Sequence, residues 1–227
     1  EAEKIASEEI ESLQGYNVSN ASALVTRPPT GEILAMVGSI DYFSQPYGAY
    51  NVTTAMRQPG SSIKPINYAI GIDRGLVTAA TIFLDVPTCF SPAGQPTKYC
   101  PVNYDRQFHG PVSLRSALAN SYNIPAVKMM AMNGVNNFVA SSSGFTITSF
   151  EDPKRYGLSL TLGGGEVKMT EFAQAFSTFA NTGKPRKLNS ILKVEDRSGK
   201  ILFEFKDPNF SKNVRKSLKN PNFLAIP

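Results

Sequence analysis

The sequence predicts an α+β protein, with strand pairs near both ends of the chain and helices between them. Two β-prone runs, 22–26 and 32–37, flank a turn that contains Pro and Gly, which is typical of an antiparallel hairpin. A second pair of runs, 190–195 and 200–205, flanks another turn segment. Strands at the ends with helices in the middle favour α+β over an alternating α/β architecture.

Five helices are predicted between and beside these strands, each from local signals at its ends. In chain order they are an amphipathic helix over 1–13, a helix over 61–74 that ends near Gly75, one over 113–119, one around Pro125 that ends at Gly134, and one over 170–180. Ser113 is predicted to be an N-cap, and Pro125 suits the first turn of a helix. The segment 85–111 contains five prolines and both cysteines, so we expect a long irregular loop with a functional role.

The last of these helices is predicted to be buried. Phe172, Phe176 and Phe179 recur at helical spacing and so lie on one face, and Asn181-Thr-Gly183 is a typical helix end. Large aromatic side chains in such a stripe usually belong to the core. We therefore expect these three phenylalanines to be core residues.

Composition limits the classes of function. The chain has 227 residues, of which 41% are apolar and 18% charged, so it can bury a core and is not disordered. It has no run of about 18 apolar residues that could span a membrane. Residues 184–219 contain eleven Lys or Arg against four acids, but these cations are scattered. We interpret them as a solvated surface and expect no nucleic-acid partner.

Histidine and cysteine are scarce. His109 is the single histidine, and Cys89 and Cys100 are the two cysteines, so a four-ligand zinc site is hard to assemble and no metal or cofactor is predicted. Serine chemistry would more readily use a base other than histidine. The two cysteines could pair in an oxidising compartment, but their number does not decide this.

Two further segments are expected to have structural roles. We expect Asp105 and His109 to have a structural role in the long loop, and Gly163-Gly-Gly165 to allow close backbone packing.

The candidate chemistry lies in Arg57-Gln-Pro-Gly-Ser61-Ser-Ile-Lys64-Pro65. Serine and lysine three residues apart at a helix start lie on one face, and a partly desolvated lysine can activate a serine nucleophile. Composition alone gives about one Ser-x-x-Lys match by chance, and Ser190/Lys193 is a second match in a predicted strand. The alternative is that Ser61 is an N-cap and Lys64 a solvated surface residue.

The wider context resembles the transpeptidase domain of class A penicillin-binding proteins. The matching segments occur in the family's order: Thr30-Gly-Glu-Ile-Leu-Ala-Met-Val-Gly38, Gln58-Pro-Gly-Ser-Ser-Ile-Lys-Pro65, Asn103-Tyr-Asp, Gly110-Pro-Val-Ser-Leu-Arg-Ser-Ala-Leu118, Asn120-Ser-Tyr-Asn-Ile-Pro-Ala-Val-Lys128 and Leu162-Gly-Gly-Gly-Glu-Val167. They cover nearly the whole chain. The resemblance implies the penicillin-binding protein/serine β-lactamase fold, in which helices flank an antiparallel sheet.

The resemblance also implies roles for four residues. Ser61 is expected to be the acylated nucleophile and Lys64 its proton acceptor. Ser121 would relay a proton, and Asn123 would bind the substrate amide. The implied substrates are peptidoglycan stem peptides that end in D-Ala-D-Ala, and β-lactams would acylate the same serine. The implied location is extracytoplasmic, with a membrane anchor and a glycosyltransferase domain upstream.

The sequence departs from the family in one motif, because Lys-Thr-Gly and Lys-Ser-Gly are both absent. We interpret residues 1–227 as one transpeptidase domain truncated before the Lys-Thr-Gly strand, which would leave the C-terminal part of the sheet missing. Two alternatives stay open. One is a β-lactamase or D,D-carboxypeptidase that hydrolyses the acyl-enzyme, and the other is a non-catalytic fragment that only binds peptidoglycan.

Overall fold

The computed structural model describes residues 1–44, 46–91 and 98–206. The α-helices of this part are α1 (Ala2–Ser12), α2 (Lys64–Asp73), α3 (Leu114–Ala119), α4 (Asn123–Asn133), α5 (Val135–Ser142) and α6 (Met169–Ala180). The strands are β1 (Ala23–Arg27), β2 (Glu32–Val37), β3 (Met56–Arg57), β4 (Ile82–Asp85), β5 (Gly110–Ser113), β6 (Val167–Lys168), β7 (Lys193–Glu195) and β8 (Ile201–Glu204). The predicted α+β class is confirmed.

The described chain forms two compact units. One consists of Glu1–Ala55 with the chain from Lys168 onward, and the other of Met56–Val167. The strands pair in twos, and the longer pairs are antiparallel: β1 with β2, β4 with β5, and β7 with β8. The expected antiparallel sheet is therefore represented among the described residues by small two-stranded sheets.

The first unit contains both hairpins that the sequence predicts. In β1–β2 the register runs from Ala23 opposite Val37 to Arg27 opposite Glu32, with a shift after Val25. The connecting turn is anchored by two asparagines of the same unit: Asn181 Nδ2 donates to the Pro28 carbonyl at 2.6 Å, and Asn189 Nδ2 donates to the Thr30 carbonyl at 2.6 Å. These bonds satisfy two carbonyls of the turn, which lie outside the β1–β2 ladder.

Helix α6 forms where predicted, but its buried face is not the predicted one. Phe176 and Phe179 are 39% and 41% exposed, and Phe172 is half-buried, so the prediction of three core phenylalanines is wrong for the described structure. The helix instead buries Glu171, Ala175 and Thr178, which also share a face. The buried Thr178 hydroxyl donates to a carbonyl of its own helix, that of Gln174, at 3.1 Å.

The second unit is built around the packing of α2 against α4. Its core cluster joins these helices to β4 and α3 through the buried side chains of Tyr68, Val77, Phe83, Leu114, Ala126 and Met129. Hydrogen bonds of two buried asparagines supplement this apolar packing. Asn67 donates to the Ala126 carbonyl at 3.0 Å, and Asn133 donates to the Asn67 carbonyl at 2.9 Å. These bonds fix the position of α2 along α4.

The segment predicted to be irregular, 85–111, contains the ends of two strands that sequence analysis missed. Ile82 lies opposite Ser113, and Asp85 lies opposite Gly110, so β4 and β5 close the segment into a long loop. Within this loop Cys89 and Cys100 form a disulfide, a pairing that the sequence alone did not decide. None of the described helices is long and apolar enough to cross a membrane.

Candidate active site

Ser61 lies in a short 3-10 helix, Gly60–Ile63, that leads directly into α2. The residue is exposed, and its carbonyl accepts the backbone N–H of Lys64. Within the described residues the Ser61 hydroxyl makes no hydrogen bond, so the structure does not join it to the Lys64 amine. The side chain of Ser61 does not cap α2, whose N-cap is Ile63 without a side-chain bond. The alternative of an N-cap serine is therefore wrong.

Lys64 is buried, with 1% of its surface exposed. The alternative of a solvated lysine is therefore wrong as well. Its Nζ donates to three oxygens of the next predicted motif: the Ser121 carbonyl at 2.5 Å, Ser121 Oγ at 3.1 Å and Asn123 Oδ1 at 2.7 Å. Burial lowers the pKa of Lys64 from 10.5 to about 8. Near neutral pH this amine can therefore reach its uncharged form, which can accept a proton.

Ser121 and Asn123 lie in the tight connection between α3 and α4. Ser121 has a φ of 55°, in the left-handed region that non-glycine residues rarely adopt, and its N–H donates to the Leu118 carbonyl at 3.0 Å. Asn123 is the first residue of α4, and its Nδ2 donates to the Val102 carbonyl at 2.8 Å. The structure thus brings Lys64, Ser121 and Asn123 together, with the exposed Ser61 one helical turn before Lys64.

Asp85, Asn103 and His109 adjoin this site, and sequence analysis did not assign them to it. Asp85 is fully buried, and its carboxylate accepts from Asn103 Nδ2 at 2.8 Å and pairs with His109 Nδ1 at 2.6 Å. Asn103 Oδ1 in turn accepts the backbone N–H of Asn123 at 2.7 Å. One sequence signal was available, because Asn103 belongs to a quoted motif. Asp85 offered only its place at the end of an apolar run.

His109 is not available as a base for Ser61. Its Nδ1 pairs with Asp85, and its Nε2 lies 3.1 Å from an oxygen of Asp105. The hydrogen bond with Asp85 is the largest of the effects that raise the pKa of His109. Both ring nitrogens are thus engaged by carboxylates, which is consistent with the structural role expected for Asp105 and His109.

Gly163 supports the backbone of the nucleophile segment. It has a φ of 84°, and a Cβ at this position would lie 2.2 Å from the backbone nitrogen of Gly60. Only glycine permits both this conformation and this approach. The close packing predicted for the Gly163-Gly-Gly165 segment is confirmed, and Gly60 is the residue before Ser61.

A polar cavity of about 440 Å³ also belongs to this unit. It is lined by Gln58, Glu151, Arg155 and Glu166 among others, and none of the four predicted site residues lines it. In the described part of the chain, no group of three or more His, Cys, Asp or Glu could hold a metal ion.

Comparison with known proteins gives one consistent result. The family model of the penicillin binding protein transpeptidase domain matches residues 21–222. Penicillin-binding protein 1A of Rickettsia prowazekii is 31% identical over 92% of this chain and 26% of its own length, and penicillin-binding protein 2D of Bacillus subtilis is 36% identical over 82% of this chain and 26% of its own length. The chain thus spans about a quarter of the length of these relatives.

The solved structures agree in fold. Penicillin-binding protein 1A of Haemophilus influenzae aligns with a TM-score of 0.74 and 28% identity, over 82% of this chain and 27% of that one. A peptidoglycan synthetase from Bifidobacterium adolescentis aligns with a TM-score of 0.71 and 20% identity, over 91% of this chain and 40% of that one. At that identity the second likeness concerns the fold alone.

Proposed function

The chain belongs to the family of penicillin-binding protein transpeptidase domains, and from that premise we propose that it is the D,D-transpeptidase domain of a peptidoglycan-synthesising enzyme. Its donor substrate is a stem peptide that ends in D-Ala-D-Ala, and its product is a cross-link between two stems. β-Lactams, which mimic the D-Ala-D-Ala end, acylate the same serine.

The observation that supports this proposal most directly is the environment of Lys64. A buried amine with a pKa of about 8 is suited to general-base work near neutral pH, and a solvated lysine is not. Its three acceptors belong to the Ser-x-Asn motif, which is the second part of the family's signature. This environment of Lys64 supports serine acyl transfer in which lysine, and not histidine, is the base.

The proposed acylation begins with neutral Lys64. Its Nζ takes the proton of Ser61 Oγ, and the oxygen attacks the carbonyl carbon of the penultimate D-Ala. The distance from Oγ to Nζ shortens when substrate binds, as is common for catalytic hydrogen bonds that are absent from free enzymes. The backbone N–H of Ser61, at the start of a helical segment, stabilises the negative oxygen of the tetrahedral intermediate.

The intermediate collapses when the bond to the terminal D-Ala nitrogen breaks. The leaving amine needs a proton, and Lys64 now holds one. Ser121 Oγ accepts from Lys64 Nζ at 3.1 Å, so it can pass that proton on, while Asn123 holds the substrate amide. The amine of a second stem then attacks the Ser61 ester and gives up a proton to Lys64, which passes it to Ser61 Oγ as the ester C–O bond breaks. The enzyme thus returns to its starting protonation state, with the original Ser61 proton on the released D-Ala and a proton of the acceptor amine on Ser61.

We propose an extracytoplasmic location for this reaction, because its substrate is part of the cell wall. The disulfide between Cys89 and Cys100 supports this, since such bonds persist in oxidising compartments. A membrane anchor and a glycosyltransferase domain upstream are part of the same proposal for the whole protein. The chain includes neither a Lys-Thr-Gly nor a Lys-Ser-Gly segment.

The decisive experiment is covalent labelling with benzylpenicillin, followed by intact mass. We expect one adduct that disappears in Ser61→Ala. The test uses two forms, the 227-residue chain and a chimera in which it is followed by a Lys-Thr-Gly segment of the kind that the family signature includes. An adduct on either form that Ser61→Ala removes supports the proposal. Rapid loss of the adduct with release of penicilloate would favour the hydrolase alternative, and no adduct on either form would favour the non-catalytic alternative.

A further inference from the structure

Asp85 is a buried carboxylate that the proposed mechanism does not use. It lies at the end of β4 and accepts four hydrogen bonds from two residues of the loop that follows. Asn103 Nδ2 lies 3.0 and 2.8 Å from its two oxygens, and the backbone nitrogen and Nδ1 of His109 lie 3.0 and 2.6 Å from Oδ2. An isolated buried carboxylate would be costly, so this arrangement orders both partners strongly.

Asn103 extends this arrangement to the candidate site. Its Nδ2 is used by Asp85 and by the Gln107 carbonyl at 2.8 Å, which fixes the orientation of the amide. Its Oδ1 then points to the first backbone N–H of α4, that of Asn123, at 2.7 Å. Asn123 Oδ1 accepts from Lys64 Nζ at 2.7 Å, so a continuous path of hydrogen bonds connects Asp85 with the lysine.

His109 supports the same turn from another side. Its ring stacks on Tyr122, with centroids 4.0 Å apart and planes 16° apart, and Tyr122 lies between Ser121 and Asn123. The ring itself is held between Asp85 and Asp105. The turn therefore has a polar support at Asn123 and an aromatic support at Tyr122, and both depend on Asp85.

The backbone of Ser121 explains why such support is needed. Its φ of 55° is unfavourable for a residue other than glycine, and such conformations persist where surrounding contacts enforce them. In this backbone conformation the Ser121 carbonyl accepts a hydrogen bond from Lys64 Nζ at 2.5 Å. A relaxed turn would withdraw acceptors from a buried ammonium group.

We propose that Asp85, Asn103 and His109 are positioning residues that hold the turn 121–123 in the strained form in which it binds Lys64. This deepens the proposed function, on which it rests. In this proposal they act through Asn123, Tyr122 and the lysine amine.

The test compares His109→Leu, His109→Asn and Asn103→Leu. The Nδ2 of asparagine occupies about the place of His Nδ1, so His109→Asn keeps the bond to Asp85 and His109→Leu removes it. Both lose the ring that stacks on Tyr122, so their difference reports the hydrogen bond alone. Phe138→Leu serves as a matched control, since Phe138 is fully buried in α5 of the same unit and belongs to no part of this path.

The first readout is the pKa of Lys64, measured by NMR on the chain labelled with ¹³C at lysine Cε, with Lys64→Met for assignment. Fewer acceptors for an amine that stays buried disfavour its charged form, so Asn103→Leu and His109→Leu lower this pKa. Phe138→Leu leaves it near the wild-type value, and His109→Asn, which keeps the bond to Asp85 but loses the ring, lies between wild type and His109→Leu. A wild-type pKa in both leucine variants of the path would overturn the inference, whatever the labelling experiment shows.

The second readout is the rate constant of benzylpenicillin acylation, in the form of the chain that is labelled. We expect a fall of about tenfold in Asn103→Leu and His109→Leu, and a smaller fall in His109→Asn, which keeps the bond to Asp85 but not the ring. Equal rates in His109→Asn and His109→Leu would show that the bond to Asp85 does not act on the site. If wild type is not acylated at all, the proposed function fails, and the pKa readout alone decides the positioning role.

Discussion

Lys64 shows how a single buried residue can define the chemistry of a site. Its position three residues after Ser61 is a weak signal, because composition alone gives such a pair about once. Burial of Lys64 makes the pair a stronger indication of catalysis, because an ammonium group removed from water needs either hydrogen-bond acceptors or the loss of its proton. The structure supplies both, with three oxygens around Nζ and a pKa lowered to about 8.

The first prediction at this scale is a pH profile of acylation. Below about pH 8 most of Lys64 is protonated and cannot accept the Ser61 proton, so the rate constant rises about tenfold per pH unit and levels off above that value. Stopped-flow measurement with a fluorescent penicillin between about pH 6 and pH 10 checks this. Lys64→Arg is the control, because arginine keeps its charge and should give a low rate throughout. A flat wild-type profile would exclude Lys64 as the base.

A second prediction concerns the hydroxyl of Tyr68, which is buried and has no hydrogen-bond partner among the described residues. Burial and the charge of Asp85 raise its pKa, so it stays protonated. Tyr68→Phe keeps the ring in the core and removes an unsatisfied polar atom. We expect the free energy of unfolding to stay equal or rise by about 1 kcal/mol, measured by urea denaturation. A loss of stability would mean that the hydroxyl has a favourable interaction.

At the scale of elements, local signals predicted what local interactions determine. Helix α3 begins after Ser113, whose side chain accepts the N–H of Ser116, and α4 includes Pro125 in its first turn and has Gly134 as its C-cap. The pairing of β4 with β5 was missed because the paired residues are about 30 positions apart in the chain, from Ile82 opposite Ser113 to Asp85 opposite Gly110. Neither segment shows a clear alternation of apolar and polar residues in the sequence. The phenylalanine face of α6 was misassigned for a related reason. Helical spacing identifies a face, but the neighbouring elements decide which face is buried.

The element-scale prediction tests the packing of Gly163 on Gly60. Gly163→Ala adds a Cβ at 2.2 Å from the Gly60 nitrogen at a φ of 84°, so the segment before Ser61 must move. We expect a loss of at least about 2 kcal/mol of unfolding free energy, together with slower acylation of Ser61. The control is Gly144→Ala, where a Cβ meets nothing within 4 Å. Equal melting temperatures for both variants would show that the close approach is not needed.

At the scale of the whole molecule, the family and the candidate residues could be identified from sequence, and the supporting network could not. The motifs of Ser61 and Ser121 are short and contiguous, so they can be identified from the sequence alone. Asp85 lies 18 residues before Asn103 and 24 before His109, and only the closed loop brings them together. Burial of a carboxylate is a property of tertiary packing, which single residues in a sequence do not report.

The last prediction follows from the distribution of these residues over the chain. Every residue of the candidate site and its network lies in the unit Met56–Val167, which also contains the disulfide and the core cluster around α2 and α4. A segment of about 110 residues can bury enough surface to fold alone. We therefore expect residues 56–167, expressed with the disulfide formed, to unfold cooperatively.

The pKa of Lys64 provides the sharper criterion for that fragment. If the acceptors of Lys64 and its burial both arise within the unit, the fragment keeps the value of about 8, measured by the same NMR titration as in the full chain. A fragment that melts cooperatively but gives an ordinary lysine pKa would show that the site needs the rest of the chain. An unfolded fragment would show that the core of this unit, including the side chains that bury Lys64, does not form without the rest of the chain.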